Sequence, residues 1–155
     1  MKTLQTIAFV ALLGVSSLFA SAQEQRVPIN QPDYNKPRLF SDLPQKMNVT
    51  ISDMEPLFDL SVGTPVMAKL SKSFPFKGTI VSKSGTTGSQ VQSIVIRSTT
   101  RQGAILTLSK IANADGSFVY RGRVLSRENI DAYEIVKEND EYVLEKKNYY
   151  EMIRE

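Results

Sequence analysis

The side chains in this chain that could do chemistry are mainly charged, and they are unevenly distributed. Between residues 60 and 127 the sequence has one acidic residue, Asp115. The basic residues of the same stretch are Lys69, Lys72, Lys77, Lys83, Arg97, Arg101, Lys110, Arg121, Arg123 and Arg127. From Glu128 onward acidic residues predominate. A basic surface of this kind attracts polyanions such as envelope lipopolysaccharide or nucleic acid.

Two interpretations of these charges stay open. In the first, five cations form a basic binding face: Lys77, Arg97, Arg101, Arg121 and Arg123. In the second, late acidic strands lie beside earlier basic ones and the charges pair, as Arg123 with Glu134. We expect the second, because nucleic-acid binders usually add exposed stacking aromatics and here the large rings fall on the core face. No nucleic-acid partner is therefore predicted.

The residue types needed for common catalytic sites are missing. The chain has no His, Cys or Trp, which excludes triads that use His, thiol nucleophiles and zinc sites of the His/Cys kind. Glu138, Asp140 and Glu141 lie on an expected turn in solvent, where nothing would separate their pKa values for acid/base catalysis. We predict no enzyme activity, no catalytic residue and no cofactor.

Two glycine-containing segments are weak candidates for ligand sites. Residues 113–117 (Asn-Ala-Asp-Gly-Ser) have some features of a calcium loop, but Ile111 stands where the first carboxylate should be and no Glu closes the loop. A hairpin turn is the better interpretation, because of its Asp-Gly. Gly85 and Gly88 lie between two expected strands rather than before a helix, so they do not predict a phosphate site. No metal site is predicted.

The N-terminus has the pattern of a secretory signal peptide. Lys2 is followed by an apolar run over residues 7–20 and then by Ala20-Ser21-Ala22, which predicts cleavage after Ala22. No later segment approaches the roughly 20 apolar residues of a spanning helix, so the chain is not expected to span a membrane. Exported proteins without Cys are ordinary in bacteria, and we expect a periplasmic or extracellular location after cleavage.

Residues 23–45 read as a proline-rich, extended lead-in, and residues 46–155 as a single β domain. Proline fixes φ and cannot donate to a strand ladder, and four prolines fall in the lead-in. Leu39 and Phe40 either dock on the domain or only graze its surface. We expect the second, a flexible tether.

The β domain is marked by two copies of one pattern, in which an aromatic residue, a glycine and an aliphatic residue alternate with other residues. The copies are Phe76-Lys77-Gly78-Thr79-Ile80 and Tyr120-Arg121-Gly122-Arg123-Val124. Period-two alternation places the three marked residues on one side of a strand, and each glycine leaves room for a neighbouring ring or backbone. Phe76, Gly78, Tyr120 and Gly122 are therefore predicted to be structural.

The spacing of apolar runs and turns predicts a mainly β fold, an antiparallel meander of about seven strands forming a small barrel or two-layer sandwich. Residues 47–51 could add an edge strand. Short helices are expected near residues 53–60 and 149–155, with Asp53 and Asn148 as N-caps. The predicted strands are Val66–Leu70, Phe76–Lys83, Val91–Ser98, Ala104–Ile111, Ser117–Ser126, Ala132–Lys137 and Tyr142–Lys147.

A register can be predicted for the middle of the sheet. Across the turn at residues 127–131, Val124 should pair with Tyr133 and Gly122 with Ile135. Across the earlier turn, the expected pairs are Leu108–Tyr120 and Leu106–Gly122. The inward set is then Leu106, Leu108, Phe118, Tyr120, Val124, Tyr133 and Ile135.

The two aromatic-Gly-aliphatic copies, followed by Tyr133-x-Ile135 and Tyr142-x-Leu144, resemble small exported bacterial β-domain proteins. Over roughly residues 57–147 the chain is also similar to the β-rich pro-regions that precede secreted metallopeptidases. It departs from that pattern in having no Cys to occupy a zinc site, and no peptidase domain is expected to follow. The resemblance implies a free-standing inhibitor or folding partner of an exported peptidase.

These observations favour a non-catalytic exported binding or assembly module of the bacterial envelope, whose partner is another exported or envelope protein. The alternative is the pro-region-like inhibitor or folding partner. A third possibility is binding of a polyanion or envelope glycolipid through the basic sheet face.

Overall fold

The computed structural model describes residues 32–153. The predicted signal peptide, residues 1–22, and the first part of the lead-in, residues 23–31, lie outside the described residues. So do the last two residues of the chain. All the elements named below belong to the compact unit that begins at Tyr34.

The described residues contain eight strands, two short 3-10 helices and one short α-helix. The strands are β1 (Lys46–Val49), β2 (Pro65–Ser71), β3 (Phe74–Ser84), β4 (Val91–Ser98), β5 (Ile105–Ala112), β6 (Phe118–Leu125), β7 (Asp131–Glu138) and β8 (Glu141–Asn148). The 3-10 helices are Ile51–Asp53 and Glu55–Asp59, and α1 is Tyr149–Met152.

The strands form one antiparallel sheet in the order β1-β8-β7-β6-β5-β4-β3-β2. The sheet curls into a half-barrel. At its open seam β1 and β2 are joined by side chains: the hydroxyls of Ser71 and Ser73 each donate to the sulfur of Met47 at 3.3 Å. The predicted mainly β, antiparallel fold is confirmed. The strand beyond the seven predicted is β1, which occupies the edge where residues 47–51 suggested one.

The predicted register is confirmed on one side of β6. Gly122 lies opposite Ile135 and Val124 opposite Tyr133, as the turn at residues 127–131 indicated. β4 is central, as predicted, because it pairs with both β3 and β5. Short turns with apolar alternation on both sides therefore defined these strands well.

On the other side of β6 the predicted register is wrong by two residues. Leu108 lies opposite Gly122, and Leu106 lies opposite Val124. The connection is longer than a two-residue turn: residues 113–117 form it, and the Asn113 N–H donates to the Ser117 carbonyl at 2.8 Å. Because side chains alternate with period two, an error of two leaves each residue on its predicted face.

The inward residues form the core, with one exception. Six of the seven predicted inward residues are buried: Leu106, Leu108, Tyr120, Val124, Tyr133 and Ile135. Phe118 is 48% exposed, so its predicted inward burial is wrong. It is the first residue of β6 and pairs only with the last residue of β5, so no neighbouring layer covers it.

The short helices differ from prediction at one end of the chain and agree at the other. Two 3-10 segments replace the single helix over residues 53–60, and Asp53 lies inside the first segment, so it is not the cap. Leu57 and Phe58 of the second segment, and Met54 between the two segments, are buried in the core. At α1, Asn148 Oδ1 accepts from the Tyr150 N–H at 2.9 Å, which confirms the predicted cap.

The end of the lead-in is part of the folded unit. Phe40 is fully buried between the rings of Phe74 and Tyr133, whose centroids lie 5.8 and 5.4 Å away. The backbone N–H groups of Leu39 and Phe40 donate to the buried Asp131 carboxylate at 2.6 and 2.9 Å. The expectation that this pair only grazes the surface is wrong for Phe40. Residues 36–45 are called the strap below.

The strap is held mostly by its backbone carbonyls. The Lys146 ammonium donates to the carbonyls of Phe40 and Leu43 at 2.7 and 2.6 Å, and the Tyr133 hydroxyl donates to the Pro44 carbonyl. The Ile130 N–H donates to the Pro37 carbonyl at 3.0 Å. Backbone groups that no strand pairs are thereby satisfied as the strap crosses the sheet.

The two patterned glycines each lie against a close neighbour, as predicted. A Cβ on Gly78 would lie 2.4 Å from the carbonyl oxygen of Arg97. A Cβ on Gly122 would lie 2.7 Å from methyl groups of both Ile135 and Leu108. The neighbour of Gly78 is therefore backbone, whereas the neighbours of Gly122 are aliphatic side chains rather than a ring.

Candidate binding surface

The outer face of the half-barrel carries the basic residues of the middle of the chain. Inside-facing positions alternate with outside-facing ones along each strand, and on β2–β6 every charged outward residue is a cation. These residues, called the outer basic face below, are Lys69 on β2, Lys77 on β3, Arg97 on β4, and Arg121 and Arg123 on β6. Asp115, the one acid of this stretch, lies in the β5–β6 turn and accepts from Ser117.

The strand order keeps most of these cations away from carboxylates. β2 to β6 lie side by side in sequence order, so basic strands meet acidic ones only at the β6–β7 boundary. There Arg123 and Glu134 form the predicted pair, at 3.2 Å. Lys77, Arg97 and Arg121 are exposed, and none has a carboxylate partner among residues 32–153. Among the described residues, the expected pairing with a late acidic strand is found only for Arg123. Arg101 and Lys110 are also paired, but with Asp42 and Glu55, which precede the basic stretch.

Arg123 is also engaged by α1. Its Nη1 donates to the Met152 carbonyl at 3.3 Å, and Met152 itself is buried. α1 therefore lies over the outer face at this boundary. Among the predicted basic residues, Lys77, Arg97 and Arg121 are the ones that a ligand can reach without displacing an ion pair.

Arg101 does not belong to the outer basic face. Its guanidinium donates to both carboxylate oxygens of Asp42, at 3.0 and 2.6 Å, and to the Leu39 carbonyl at 2.7 Å. It also lies 5.3 and 5.4 Å from the ring centroids of Phe40 and Phe74. The bonds from Arg101 hold the pKa of Asp42 below its usual value. Arg101 is thus a structural cation that fastens the strap.

Hydroxyl groups lie between the cations of the outer basic face. Arg97 lies opposite Thr79 on β3, and Arg123 lies opposite Thr107 on β5. Ser109 lies opposite Arg121 and forms a 2.8 Å hydrogen bond with Ser93 of β4. Paired strands lie about 4.8 Å apart, so a carboxylate on this face reaches a cation and a hydroxyl together.

The sheet opens where the basic and acidic strands meet. Only three residue pairs join β6 to β7, although each strand has eight residues. Beyond Gly122 the Tyr120 N–H donates to the hydroxyl of Tyr142 at 3.1 Å instead of to β7. On the outside this separation leaves a cleft of about 520 Å³, lined by Arg121 and Ser109 on one side and by Lys137 on the other.

Three residues form a polar cluster at one end of the half-barrel. The Tyr120 hydroxyl donates to Glu55, and the Lys110 ammonium lies 3.2 Å from the same carboxylate oxygen. These two donors lower the pKa of Glu55, and burial together with the Glu55 carboxylate raises the pKa of Tyr120. The cluster fastens the second 3-10 helix to β5 and β6. No local sequence pattern marks this cluster, because Lys110 and Tyr120 lie 55 and 65 residues from Glu55 along the chain.

The acidic turn between β7 and β8 is a solvated hairpin, as expected. Asn139 and Asp140 both have positive φ, at 47° and 67°, which is the geometry of a two-residue hairpin turn. Glu138 pairs with Lys46 at 2.7 Å and Asp140 with Lys137 at 2.8 Å. The hydrogen bond from Lys137 lowers the pKa of the exposed Asp140.

Within residues 32–153, no group of three or more His, Cys, Asp or Glu side chains could hold a metal ion. None of the helices in that range is long and apolar enough to cross a membrane. Comparisons with protein-family models, with curated proteins and with solved structures find no significant match to this chain.

Proposed function

We propose that this chain is a non-catalytic, exported binding module that holds an acidic segment of another exported or envelope protein against its outer basic face. The observation that carries the proposal is the charge of that face: five adjacent strands present five cations and no carboxylate. A surface of one sign attracts and orients a partner of the opposite sign.

The composition of the face favours a protein partner over a nucleic acid. Phe118 is the one exposed aromatic residue on β2–β6, and by the alternation of the strand it lies on the side of Tyr120, so the outer basic face offers bases no ring on which to stack. Half-buried aliphatic residues stand between the cations instead, among them Val95, Ile105 and Leu125. Acidic protein segments that carry apolar side chains match such a mixture of charge and aliphatic surface.

Binding of poly-L-glutamate tests the proposal, with affinity measured by fluorescence anisotropy at low salt. Arg97→Gln/Arg121→Gln removes two cations from the outer basic face. Arg38→Gln/Arg127→Gln is the matched control, because it removes the same charge from two exposed side chains elsewhere. Each exposed pair contributes about 1 kcal/mol in water, and about 1.4 kcal/mol corresponds to a tenfold change in affinity. The first double variant loses two pairs, so it should bind about thirtyfold more weakly, and the control should bind nearly as well as the native chain.

Equal losses in the two double variants would contradict the proposal, because only net charge would then matter. Binding to vesicles that contain lipopolysaccharide, without binding to poly-L-glutamate, would instead identify an anionic glycolipid as the ligand of the same cations. Raising the salt concentration should weaken binding to the native chain, since exposed charges are screened.

A further inference from the structure

The second edge of the sheet offers a way to hold the backbone of an extended partner. β2 is the outermost strand and pairs with β3 alone. Its other edge makes no backbone hydrogen bond within residues 32–153. Beyond it lies β1, whose contact with the end of β2 runs through the Met47 sulfur and not through the backbone.

The hydrogen bonds of β3 show which residues of β2 point their backbone groups to this free edge. The Ile80 N–H donates to the Thr64 carbonyl at 3.0 Å, so Thr64 faces β3. In an antiparallel ladder alternate residues face opposite neighbours, so Val66 and Ala68 also face β3. The backbone groups of Pro65, Met67 and Lys69 then point to the free edge.

Two prolines support this assignment. Pro65 has no N–H and stands at a position whose N–H would point to the free edge. Pro75 lies opposite Lys69. If the backbone groups of Lys69 point to the free edge, these two residues exchange no hydrogen bonds, so the missing N–H of Pro75 costs nothing in this pair. Proline is tolerated in a sheet at such positions. The free edge therefore presents the N–H groups of Met67 and Lys69 and the carbonyls of Pro65 and Met67.

The charge around this edge indicates what can occupy it. A groove of about 610 Å³ runs between β2 and β1, and among its lining residues Lys69 and Lys72 have no carboxylate partner in the described part of the chain. Lys77 is on the next strand, opposite Met67. Asp53 is the one carboxylate that lines the groove. A second copy of this chain would bring the same cations against one another, whereas an acidic segment would neutralise them.

We propose that an acidic, extended segment of the partner adds to the free edge of β2 as a further strand. Its backbone donates to the carbonyls of Pro65 and Met67 and accepts from the N–H groups of Met67 and Lys69. Its outward carboxylates then lie beside Lys69 and within reach of Lys77. Main-chain bonds of this kind give affinity, and the charges of alternate side chains give specificity. The inference rests on the proposed function for the acidity of the partner, and adds how its backbone is held.

Hydrogen exchange of the native protein is the direct test, with a capped octapeptide of alternating Val and Glu as the probe. The amides of Met67 and Lys69 should exchange fast in the free protein and be slowed at least about tenfold by saturating peptide. Those of Val66 and Ala68, which face β3, should already be slow. Peptide binding that leaves Met67 and Lys69 unprotected would overturn the proposal.

A pair of variants at one position separates backbone from side chain. Met67→Pro removes an N–H that no backbone hydrogen bond of the described residues uses and places a ring at the free edge. Met67→Ala keeps that N–H while removing the half-exposed side chain. Loss of one hydrogen bond and the clash of the ring should weaken peptide binding by about tenfold or more in Met67→Pro, and far less in Met67→Ala. If Met67→Pro does not fold, the exchange experiment on the native chain still decides.

The failure of this inference is distinguishable from that of the proposed function. If Met67→Pro binds the octapeptide as well as Met67→Ala does, while Arg97→Gln/Arg121→Gln loses binding to poly-L-glutamate, strand addition is wrong and the outer basic face remains. Self-association of the native chain that Met67→Pro abolishes would overturn the proposal in favour of a second copy on this edge.

Discussion

The two parts of the sheet, β7, β8 and β1 on one side and β2–β6 on the other, differ in how their outward charges are paired. On β7, β8 and β1 most outward carboxylates have a cationic partner: Glu138 pairs with Lys46 and Glu145 with Lys147, both at 2.7 Å, and Glu134 pairs with Arg123. On β2–β6 the outward cations stand without carboxylates up to the boundary pair at Arg123. One part of the surface carries mostly paired charges of both signs, and the other carries mostly cations without a carboxylate partner.

The difference shows how a meander turns a charge pattern of the sequence into a surface. Consecutive strands become neighbours, so a basic stretch of chain becomes a basic patch instead of being interleaved with acidic strands. The formal net charge of the chain is only +3, which conceals this separation. Distribution, and not net charge, determines what such a surface attracts.

The strap joins the two parts, and its removal should have the largest effect on stability. Phe40 packs against Phe74 of β3 and Tyr133 of β7. Phe40→Ala should lower the free energy of unfolding by about 3–5 kcal/mol, as for other buried aromatic residues. Urea titration measures the change. Tyr34→Ala, which truncates a ring that is 62% exposed, is the control and should cost less than about 0.5 kcal/mol. Equal midpoints for the two variants would show that the strap is not part of the core.

The two patterned glycines provide the next comparison, one within the basic part and one at the boundary. Gly78→Ala drives a methyl group into a backbone carbonyl, which cannot move without breaking the ladder. Gly122→Ala meets only the ends of flexible side chains. We expect losses of about 3 kcal/mol and about 1 kcal/mol respectively, measured by chemical denaturation. The reverse order would mean that the register between β3 and β4 differs from the one described here.

Acid should weaken the fold through carboxylates that hold it together. The pKa of Glu55 is lowered by Tyr120 and Lys110, and that of Asp42 by Arg101. A carboxyl group whose pKa is lower in the folded chain stabilises the fold above its unfolded pKa, and this contribution is lost as pH falls through the folded pKa.

Urea midpoints should therefore stay level from pH 7 to about pH 5 and fall below that. Glu55→Gln should make the decline shallower. Asp59→Asn is the control, because Asp59 is exposed and accepts no side-chain hydrogen bond within residues 32–153. A native protein that gained stability between pH 5 and pH 3 would contradict the assignment.

The smallest effect on stability is expected for the ion pair between Arg123 and Glu134, at the boundary between the two parts of the sheet. Glu134→Gln removes the carboxylate that lies 3.2 Å from Arg123 and so takes one negative charge away from the edge of the outer basic face. Exposed pairs contribute up to about 1 kcal/mol, so the unfolding free energy should fall by no more than that. Affinity for poly-L-glutamate at low salt should rise about two- to threefold. Unchanged affinity would mean that the acidic partner does not reach the cleft between β6 and β7.

Local sequence patterns were enough to predict much of this fold. Period-two alternation and turn residues located seven strands, and the short turn after Val124 fixed its pairing with Tyr133. They were not enough where contacts join distant parts of the chain. Phe40 is buried against rings of β3 and β7, and its backbone N–H donates to Asp131, 91 residues away, and nothing local marks these contacts.

The candidate surface was predicted only in part, because contacts between distant parts of the chain also decide which of its cations are paired. The excess of cations is visible in the sequence, but whether each is paired depends on which strands become neighbours. Arg123 lies on the boundary and is paired, whereas Arg97 and Arg121 are not. Arg101 looks like its neighbours in the sequence and yet binds Asp42, because the β4–β5 turn meets the strap. Strand order and loop position, not residue type, separate these arginines.

The central claim is that the unpaired cations of the outer basic face hold an acidic ligand, and side-chain NMR tests it most directly. Guanidinium and ammonium signals are followed while poly-L-glutamate is added to the native protein. We predict that Arg97, Arg121 and Lys77 shift first and saturate together, while Lys46, Lys137 and Lys147 move little. Shifts spread evenly over both sets, or confined to the second, would contradict the account.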